Sequence, residues 1–560
     1  MQSPSPHAPP PPERPPGRES IKDTLISIVI AFVLAFVFRG FVVEAFVIPT
    51  GSMAPTLLGA HTRFRGPESG YDWPVGPWEG RGSEAAPVQS EVVVHDPMTG
   101  TRVEKRRVPT RSGDRILVMK FLYAVLGPRR FDVVVFKEPD NPQRNFIKRL
   151  IGLPGEMVAL VDGDIFVRPD DGAAAPGDDA WGGLSGWAIA RKPVGVQRAV
   201  WQTVHDSRYA PVRAGAAGQV PWTSADPGWE LEGPVYRYAG RGPTTLRWDE
   251  QRTRYSDRAP PWQHTIETWA IDDRYAYNEL PPGNPMFGAW AVRFPVSDVR
   301  MRLGIDPGQD SQNRTVTATI AARGHEFAME IAGPAVTVKM RARGVPAWTV
   351  LGSGTLPDGP LRAGRVTDLE FWHADQGLRV LVGGRGVDFE TPAGRTGLLT
   401  YDWSPAERIR LATGRTTADL GEDVPAIQRP EVYARSTVSW TFTGPVTLHR
   451  VGLDRDLYYR PMGTLRGPGL STHPSRPARL GPDEFFCLGD NSPASQDGRA
   501  WETVDPWVAS EVWERRGLSA RPGVVPRELM LGKAFFVYFP SLHKEATIPV
   551  PDVARMRFIR

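Results

Sequence analysis

The chain contains a single cysteine in 560 residues, Cys487. It therefore has neither an intramolecular disulfide nor a zinc site built on cysteines. Cys487 lies in "EFFCLGDN", and this apolar context predicts a small buried residue on a strand. No block of lysine or arginine stands out, and the net charge is only +4. Nothing in the composition indicates a nucleic-acid partner.

Histidines are few as well, with 10 in the whole chain. None lies close in sequence to Ser52, a serine in an uncharged apolar stretch. Those in the middle of the chain show no metal-ligand spacing, so we expect neither a metal nor another cofactor. They are His205, His264, His325 and His373.

Glycine and proline are abundant, with 57 and 56 residues, and 41% of the chain is apolar with 18 tryptophans. This composition predicts a folded, mostly β protein with many short strands and turns. The length exceeds what one compact core supports, so we expect two or more domains.

The most hydrophobic run lies near the N-terminus, after a Pro-rich stretch over residues 1–20 that we expect to be a disordered tail. Thr24 to Phe38 carries no charge, and Lys22 and Arg39 flank it. Counted over 21–43, the run reaches the roughly 20 residues that a transmembrane helix needs. We therefore expect a transmembrane anchor there.

A cleaved signal peptide is the alternative interpretation of this run. No A-x-A-like cleavage site follows it cleanly, and a Pro-rich leader is unusual for a signal peptide. Arg14, Arg18 and Lys22 precede the run, whereas only Arg39 closely follows it. This charge bias predicts a cytoplasmic N-terminus and a single pass, with the rest of the chain on the extracytoplasmic side of the cell membrane.

Beyond the anchor the pattern is β. "GDRILVMK" (113–120) and "FDVVVFKEP" (131–139) are β-branched runs bounded by turn residues, and Asp162-Gly163 joins two apolar runs as a hairpin signal. "DEFFCLGDN" and "LGKAFFVYFP" predict two more strands near the C-terminus. Apolar residues alternate with polar ones from about 315 to 389, which favours a β-sandwich or jelly roll.

"FVIPTGSMAPTLL" places one serine, Ser52, in an uncharged apolar stretch. Gly-Ser is common in turns, so a purely structural serine is the simple interpretation. A catalytic serine needs a base, and Lys148 in "RNFIKRLIG" is a candidate because its neighbours are apolar. Burial would lower the pKa of its amine, as a serine–lysine pair requires. On spacing alone, a solvated lysine on a strand is the competing interpretation.

Six blocks occur in the order found in bacterial type I signal peptidases, directly after the hydrophobic run. They are "IPTGSMAPTL", "GDRILVMK", "FDVVVFKEP", "FIKRLIGLPGE", "FCLGDNSPASQDGR" and "GKAFFVYFP". The chain resembles this family over roughly 43–167 and 437–560. The resemblance implies a membrane-bound serine endopeptidase that cleaves signal peptides from exported preproteins, with membrane lipid as a second partner.

The resemblance also assigns roles to residues. It implies that Ser52 is the nucleophile, Lys148 the general base and Thr50 an oxyanion-hole residue, and that Ser495 orients the lysine. Asp497 and Arg499 match a structural ion pair near the site. The residues matching the pockets for small substrate side chains are Phe46, Ile48, Pro49, Met53, Leu57, Phe146 and Ile147.

The chain also departs from the family. Gln496 and Gly498 stand where other small or polar residues are usual, and the 61–112 segment is long. The largest departure divides the predicted catalytic domain into 44–168 and 437–560. Between them, 169–436 is predicted to form a separate β-rich domain that projects away from the membrane and supplies no catalytic residue.

Within the insertion, "LEFWHADQGLRVLVGGRGVDF" (369–389) weakly resembles a strand–turn–strand of concanavalin-like jelly rolls. This would imply a glycan or protein ligand of unknown identity; an added domain with no ligand is the alternative.

Two other functions fit parts of the pattern. A membrane-anchored binding module on an inert peptidase scaffold predicts loss of Ser52 or Lys148, yet both are present. A self-cleaving serine–lysine repressor needs a DNA-binding domain before the peptidase region, where this chain has a hydrophobic run.

Overall fold

The computed structural model describes most of the chain. The residues described are 21–37, 42–80, 82–121, 123, 126–173, 177–211, 220–255, 267–281, 292–308, 314–465, 467–540, 542–543, 550–551 and 553–560. The disordered tail predicted over 1–20 and His264 lie outside these residues.

An α-helix covers Ile21–Val37, within the run expected to be the anchor. Its apolar side chains are largely exposed, for example Ile21 at 80%, Phe32 at 61% and Leu34 at 63%. In the described chain, no helix is both long enough and apolar enough to cross a membrane. The predicted boundary at residue 43 is wrong, because Val43 already begins a strand.

The first large sheet carries the family blocks, and all of its strands pair antiparallel. Its apolar residues alternate between two clusters, because successive side chains of a strand point to opposite faces. Val133 and Val135 contribute to one cluster, and Val134 and Phe136 to the other. In spatial order its strands are Val43–Val47, Arg115–Met119, Met530–Phe539, Val133–Glu138, Asn141–Gly152, Glu484–Leu488 and Val525–Pro526, with Arg557–Phe558 beside Met530–Phe539.

The strand order alone does not bring the two halves of this sheet close together. Val43–Val47 and Asn141–Gly152 lie four places apart in the strand order, which in a flat sheet is about 19 Å. Residues that follow or lie on these two strands nevertheless meet, as described below. The inner-face cluster, on one face of this sheet, contains Ile48, Ile116 and Val537, so apolar burial stabilises the position of Ile48 against the sheet.

A second, four-stranded sheet begins with the predicted hairpin. Glu156–Val161 pairs with Asp164–Pro169, and Asp162 and Gly163 both have positive φ, 53° and 88°. Two positive φ angles define a type I′ turn, whose twist suits a two-residue hairpin, so the hairpin prediction is confirmed. The outer strands are Ala188–Ile189 and Ala478–Arg479.

Two nine-stranded antiparallel sheets occupy the middle of the chain, as the alternating pattern predicted. The first contains Trp229–Glu232, Val235–Tyr238, Val446–Arg455, Val299–Asp306, Thr367–Ala374, Gly377–Val382 and Arg385–Gly386, with Gln202–Asp206 and Leu399–Thr400 at its side. The second contains Trp222–Thr223, Pro243–Trp248, Thr437–Thr443, Thr315–Ala322, His325–Ala332, Ala335–Ala342, Thr349–Thr355, Phe389–Thr391 and Gly394–Thr396.

One large core lies between these two sheets. It combines inward residues of both, for example Met301 and Leu448 of the first with Ile320 and Trp440 of the second. The predicted insertion boundary at 436 is too early, because Thr437–Thr443 and Val446–Arg455 are central strands of these sheets. The sandwich therefore extends to Arg455.

The sandwich is joined to the catalytic part by shared packing. Phe166 of the hairpin packs in one buried cluster with Phe294 and Tyr433 of the insertion. At the hairpin tip, Asp162 accepts two hydrogen bonds from Arg323, at 2.6 and 2.7 Å, and both side chains are fully buried. A buried charge that lost its partner would be costly, so these contacts fix the insertion against the hairpin.

The long 61–112 segment forms two small hairpins, Thr62–Arg65 with Asp72–Val75 and Val88–His95 with Arg102–Pro109. Their shared core includes Phe64, Trp73 and Val92. The other short α-helices are Val194–Val200, Pro405–Thr413, Thr417–Glu422 and Pro506–Val508, and the other two-stranded pairs are Thr253–Tyr255 with Glu267–Thr268, Gly463–Thr464 with Gly467–Pro468, and Leu542–His543 with Val550–Pro551.

Candidate active site

Ser52 lies in a single 3-10 turn, Gly51–Met53, that follows the edge strand Val43–Val47. Pro49 precedes this turn and Pro55 follows it, and proline lacks the N–H that a continuing ladder would need. The Ile48 N–H donates to the Asp114 carbonyl at 2.9 Å and so fixes the entry of the turn. Ser52 itself is buried, with 8% of its surface area exposed.

Lys148 lies on the central strand Asn141–Gly152, opposite Val134 of the neighbouring strand. Its side chain is 3% exposed, and its Nζ lies 2.9 Å from the Ser52 Oγ. The same Nζ lies 3.2 Å from the Ile147 carbonyl oxygen and 4.8 Å from the centre of the Phe146 ring. The structure thus brings together two residues that are 96 positions apart in sequence.

Burial controls the protonation of this lysine. Removal of water from around the amine lowers the pKa of Lys148 to about 8, although the charges of Asp497 and Glu138 act in the opposite direction. A substantial fraction of the amine is therefore neutral near pH 8. The distance of 2.9 Å between the Lys148 Nζ and the Ser52 Oγ is within the range that proton transfer to a neutral amine requires.

Asp497 and Arg499 form the ion pair that the sequence predicted. The Arg499 Nη2 lies 2.8 Å from the Asp497 Oδ2, and both side chains are fully buried. Burial alone would raise the pKa of Asp497, but the charge and hydrogen bonds of Arg499 hold it below its ordinary value. Asp497 also accepts a hydrogen bond from the Gly489 N–H at 3.0 Å, which ties the pair to the loop facing Ser52.

Thr50 and Ser495, the two residues predicted to assist Ser52 and Lys148, differ in their exposure to solvent. Thr50 is exposed and directly precedes the Ser52 turn. Ser495 is buried, and its Oγ has no hydrogen-bond partner in the described part of the chain. It lies against Gly489, where an added Cβ would be 2.2 Å from the Ser495 Oγ and 2.5 Å from the Ser52 carbonyl oxygen.

The predicted pocket residues differ in how deeply they are buried. Phe46 and Phe146 are half-buried, and Pro49 is exposed. Ile48 and Ile147 are 2% and 8% exposed. Met53 and Leu57 are fully buried in the inner-face cluster, so they support the turn from inside.

Sequence reasoning missed a set of buried, hydrogen-bonded residues next to Ser52 and Lys148. The Arg149 guanidinium makes two hydrogen bonds to the Asp490 carboxylate, at 2.7 and 2.6 Å. The Thr56 hydroxyl donates to the same carboxylate at 2.6 Å. Asp490 therefore links the turn after Ser52 to the residue after Lys148. Arg149 and Asp490 lie inside two family blocks, so the blocks were the available signal.

Replacing Arg149 by methionine is expected to lower the free energy of unfolding by about 3–5 kcal/mol, because Asp490 would stay buried without its counter-charge. Denaturant unfolding of the full chain in detergent measures this loss. Arg106→Met is the matched control, since Arg106 is 76% exposed and lies 3.7 Å from Glu91, a pair worth at most about 1 kcal/mol. Equal effects of the two changes would contradict the inferred role of the Arg149–Asp490 pair.

One group of carboxylates in the described residues has metal-like spacing. Oxygens of Asp164, Asp298 and Asp375 lie within 4.8 Å of one another, at the junction of hairpin and insertion. Arg408 lies 3.1 Å from Asp164 and 3.4 Å from Asp298, and Lys192 is paired with Asp375. These cations balance the acidic charge, so we interpret the group as a buried ion-pair network.

Comparison with known proteins links the catalytic part to one family. Residues 104–177 match the family described as "Signal peptidase, peptidase S26". This interval includes Lys148 but not Ser52. The resemblance inferred from the six sequence blocks is confirmed over this part of the chain.

Individual relatives match over similarly limited stretches. Signal peptidase I of Pseudomonas fluorescens is 30% identical over 122 residues, 22% of this chain and 28% of the relative. Signal peptidase I of Leptolyngbya laminosa is 35% identical over 97 residues, 14% of this chain and 48% of the relative. The chain thus spans less than half the length of either relative.

Among solved structures, a carbohydrate binding module, CBM66 from Bacillus subtilis, aligns with 42% of this chain and 96% of its own length. The identity is 7% and the TM-score is 0.23. At these values the likeness supports no inference about a ligand.

Proposed function

We propose that this chain is a signal peptidase I: a membrane-bound serine endopeptidase that cleaves signal peptides from exported preproteins. The contact between the Ser52 Oγ and the Lys148 Nζ, 2.9 Å apart and shielded from water, carries the proposal. The family match around Lys148 supports the same reaction class. An inert scaffold would have no reason to keep both members of the pair in contact.

In the proposed reaction, the neutral Lys148 amine takes the proton of the Ser52 hydroxyl as its Oγ attacks the scissile carbonyl carbon. Collapse of the tetrahedral intermediate breaks the C–N bond, and Lys148 delivers the proton to the leaving amine. The mature protein departs, and an ester joins Ser52 to the signal peptide. Lys148 then deprotonates a water molecule that hydrolyses this ester and restores both residues.

The oxyanion of each tetrahedral intermediate needs hydrogen-bond donors. The Ser52 N–H lies at the start of a 3-10 turn, where the first N–H groups have no acceptor within the turn. The exposed Thr50 hydroxyl supplies the second donor in this proposal. Each such donor contributes about 3–4 kcal/mol of transition-state stabilisation in well-studied proteases.

The substrate binds in extended form beside Val43–Val47, which lies at the edge of its sheet in the described chain. An edge strand offers free N–H and C=O groups, so a peptide can add as a further strand. Ile48, Ile147 and Phe146 then confine the side chains nearest the scissile bond to the size of alanine. Asp497 and Arg499 hold the loop whose Asn491 N–H contacts the Ser52 carbonyl.

The hydrophobic run that contains the helix Ile21–Val37 is the proposed membrane anchor, with the predicted catalytic domain on the extracytoplasmic side of the cell membrane. Its exposed apolar side chains support this assignment, because water is an unfavourable environment for them. An anchor places the cleft at the membrane surface, where the cleavage site of a signal peptide emerges.

Substrate size tests the pocket assignment. A preprotein with alanine immediately before the scissile bond is expected to be cut, whereas tryptophan at that position should reduce kcat/KM at least about 100-fold, because a small pocket cannot admit the ring. The control carries tryptophan at least ten residues into the mature protein. Equal cleavage of all three substrates would show that Ile48, Ile147 and Phe146 do not select small side chains.

A further inference from the structure

One short segment of the insertion, Tyr275–Asn278, lies beside Ser52, and we call this segment the brace. The brace packs against the turn that carries Ser52. An added Cβ on Gly51 would lie only 2.1 Å from the Tyr277 Cε1, so the tyrosine ring rests directly on the residue before the nucleophile. The Tyr277 hydroxyl also donates to the Ala60 carbonyl at 2.8 Å, at the far end of the same loop.

Asn491 connects the brace to the carbonyls of Gly51 and Ser52. Its backbone N–H donates to the Ser52 carbonyl at 3.0 Å, and its Nδ2 donates to the Gly51 carbonyl at 2.9 Å. Asn278 fixes the direction of that amide through two reciprocal hydrogen bonds, at 2.7 and 2.8 Å. If the amide rotated by half a turn, its oxygen would face the Gly51 carbonyl oxygen and the two would repel.

The brace also holds the loop on the other side of the site. The Tyr275 hydroxyl donates to the Asp490 carbonyl at 2.7 Å. Asp490 is the residue whose carboxylate joins Thr56 to Arg149. The brace therefore contacts both loops whose relative position determines the distance from the Ser52 Oγ to the Lys148 Nζ.

Buried ionic contacts anchor the brace itself. Asp273, just before it, is fully buried and paired with Arg460, whose Nη2 lies 2.9 Å from the Asp273 Oδ1. The Arg460 carbonyl accepts a hydrogen bond from Arg499 at 3.0 Å. The guanidinium of Arg455, the last residue of the sandwich, lies 4.5 Å from the centre of the Tyr275 ring. The position of the brace is thus set by the sandwich and by the Asp497–Arg499 pair together.

We infer that the insertion is part of the catalytic machinery in a positioning role: Tyr275, Tyr277 and Asn278 hold the Ser52 turn at hydrogen-bond distance from Lys148. This inference rests on the proposed peptidase function. It modifies the sequence expectation that the insertion supplies no residue to the site. The brace acts through Gly51, Asp490 and Asn491. Among the contacts described, it makes no hydrogen bond to the side chain of Ser52 or Lys148.

Asn278→Leu removes both amide hydrogen bonds and tests the inference. We expect kcat for a short signal-peptide substrate to fall about 10- to 100-fold with KM nearly unchanged, since a misplaced nucleophile affects the chemical step. Asn278→Asp keeps the acceptor for the Asn491 Nδ2 but sets a second carboxylate oxygen against the Asn491 Oδ1, so it should lower kcat as well. Thermal unfolding of both variants checks that a lower kcat does not come from a loss of folding.

Tyr275→Phe is a second variant that removes one hydroxyl and leaves the ring in place. Its matched control is Tyr236→Phe in the sandwich core, because the buried Tyr236 hydroxyl has no hydrogen-bond partner among the described residues. We expect a lower kcat for Tyr275→Phe and an unchanged kcat for Tyr236→Phe. Wild-type kcat in both Asn278→Leu and Tyr275→Phe would overturn the inference while leaving the peptidase function intact.

Hydrogen exchange gives a readout that does not depend on activity. The Ala54 and Leu57 N–H groups are hydrogen-bonded within the Ser52 turn, to Gly51 and Met53. In the full chain, Asn278→Leu should speed their exchange about three- to tenfold, the protection that one typical net hydrogen bond provides. If the wild type cleaves no preprotein, the proposed peptidase function is wrong. Hydrogen exchange in this turn then tests the positioning role of the brace by itself. Unchanged exchange would refute it.

Discussion

Ser52→Ala is expected to reduce preprotein cleavage by at least about 10³-fold, because loss of the nucleophile leaves only binding and oxyanion stabilisation. The change removes one oxygen atom whose contact in the structure is with Lys148. The backbone hydrogen bonds that shape the turn involve Gly51, Ser52 and Asn491 main-chain atoms, so they remain. The fold should therefore be unaffected.

Cleavage by wild type, Ser52→Ala and Ser112→Ala measures this effect. Ser112 is an exposed serine in the same part of the chain, so its substitution should leave the rate unchanged. Thermal unfolding of all three proteins checks that the fold is intact. Turnover of Ser52→Ala at the wild-type rate would remove Ser52 from the mechanism.

Lys148→Met and Lys148→Arg are expected to be as inactive as Ser52→Ala, for two different reasons. Methionine fills a similar volume but has no basic atom. Arginine keeps the charge, yet its guanidinium stays protonated in proteins and cannot accept the serine proton. Cleavage by Lys148→Arg would show that a positive charge, and not a base, is what the site needs.

The pH dependence of the wild type tests the same lysine without mutation. Burial lowers the pKa of Lys148 to about 8, and the neutral amine is the active form. The rate should therefore rise about tenfold per pH unit below 8 and level off above it. The direction follows from the group being a base with a lowered pKa: protonation at lower pH removes the active form. A flat profile between about pH 6 and 9 would contradict the assignment.

Inhibitors that react with catalytic serines test the identity of the base. Inhibitors directed at Ser-His-Asp hydrolases should act poorly on this chain, because their reactivity relies on a histidine base beside the serine. Comparison of their inactivation rates with those on a trypsin-like protease measures the difference. Equal inactivation would indicate that Ser52 has a different base.

The chemistry of the site was largely accessible from the sequence, whereas its geometry was not. Apolar neighbours around Lys148 predicted its burial, since a strand in a sheet core surrounds every side chain with apolar groups. Ser52 follows one strand and Lys148 lies on another that is four places away in the strand order. Which strands become neighbours, and how the turn after Val47 packs on the sheet, are set by tertiary packing, and local periodicity does not reveal them.

The boundary of the insertion was misplaced for a related reason. "TVSWTFT", Thr437–Thr443, alternates apolar and polar residues as any half-buried strand does. Its period shows that it is a strand but not which sheet it joins, and it pairs with Thr315–Ala322 of the sandwich. The brace was also not predicted, because it consists of Tyr275 and the short 3-10 turn Ala276–Asn278, whose aromatic residues follow no period.

The most direct test is to incubate the purified full chain in detergent with an exported preprotein and determine the N-terminus of the product. The proposed function predicts one new N-terminus, directly after the small residue at the end of the signal peptide, produced by wild type and absent with Ser52→Ala and Lys148→Met. An uncleaved preprotein with wild type, or the same product with Ser52→Ala, would contradict the serine–lysine signal peptidase proposed here.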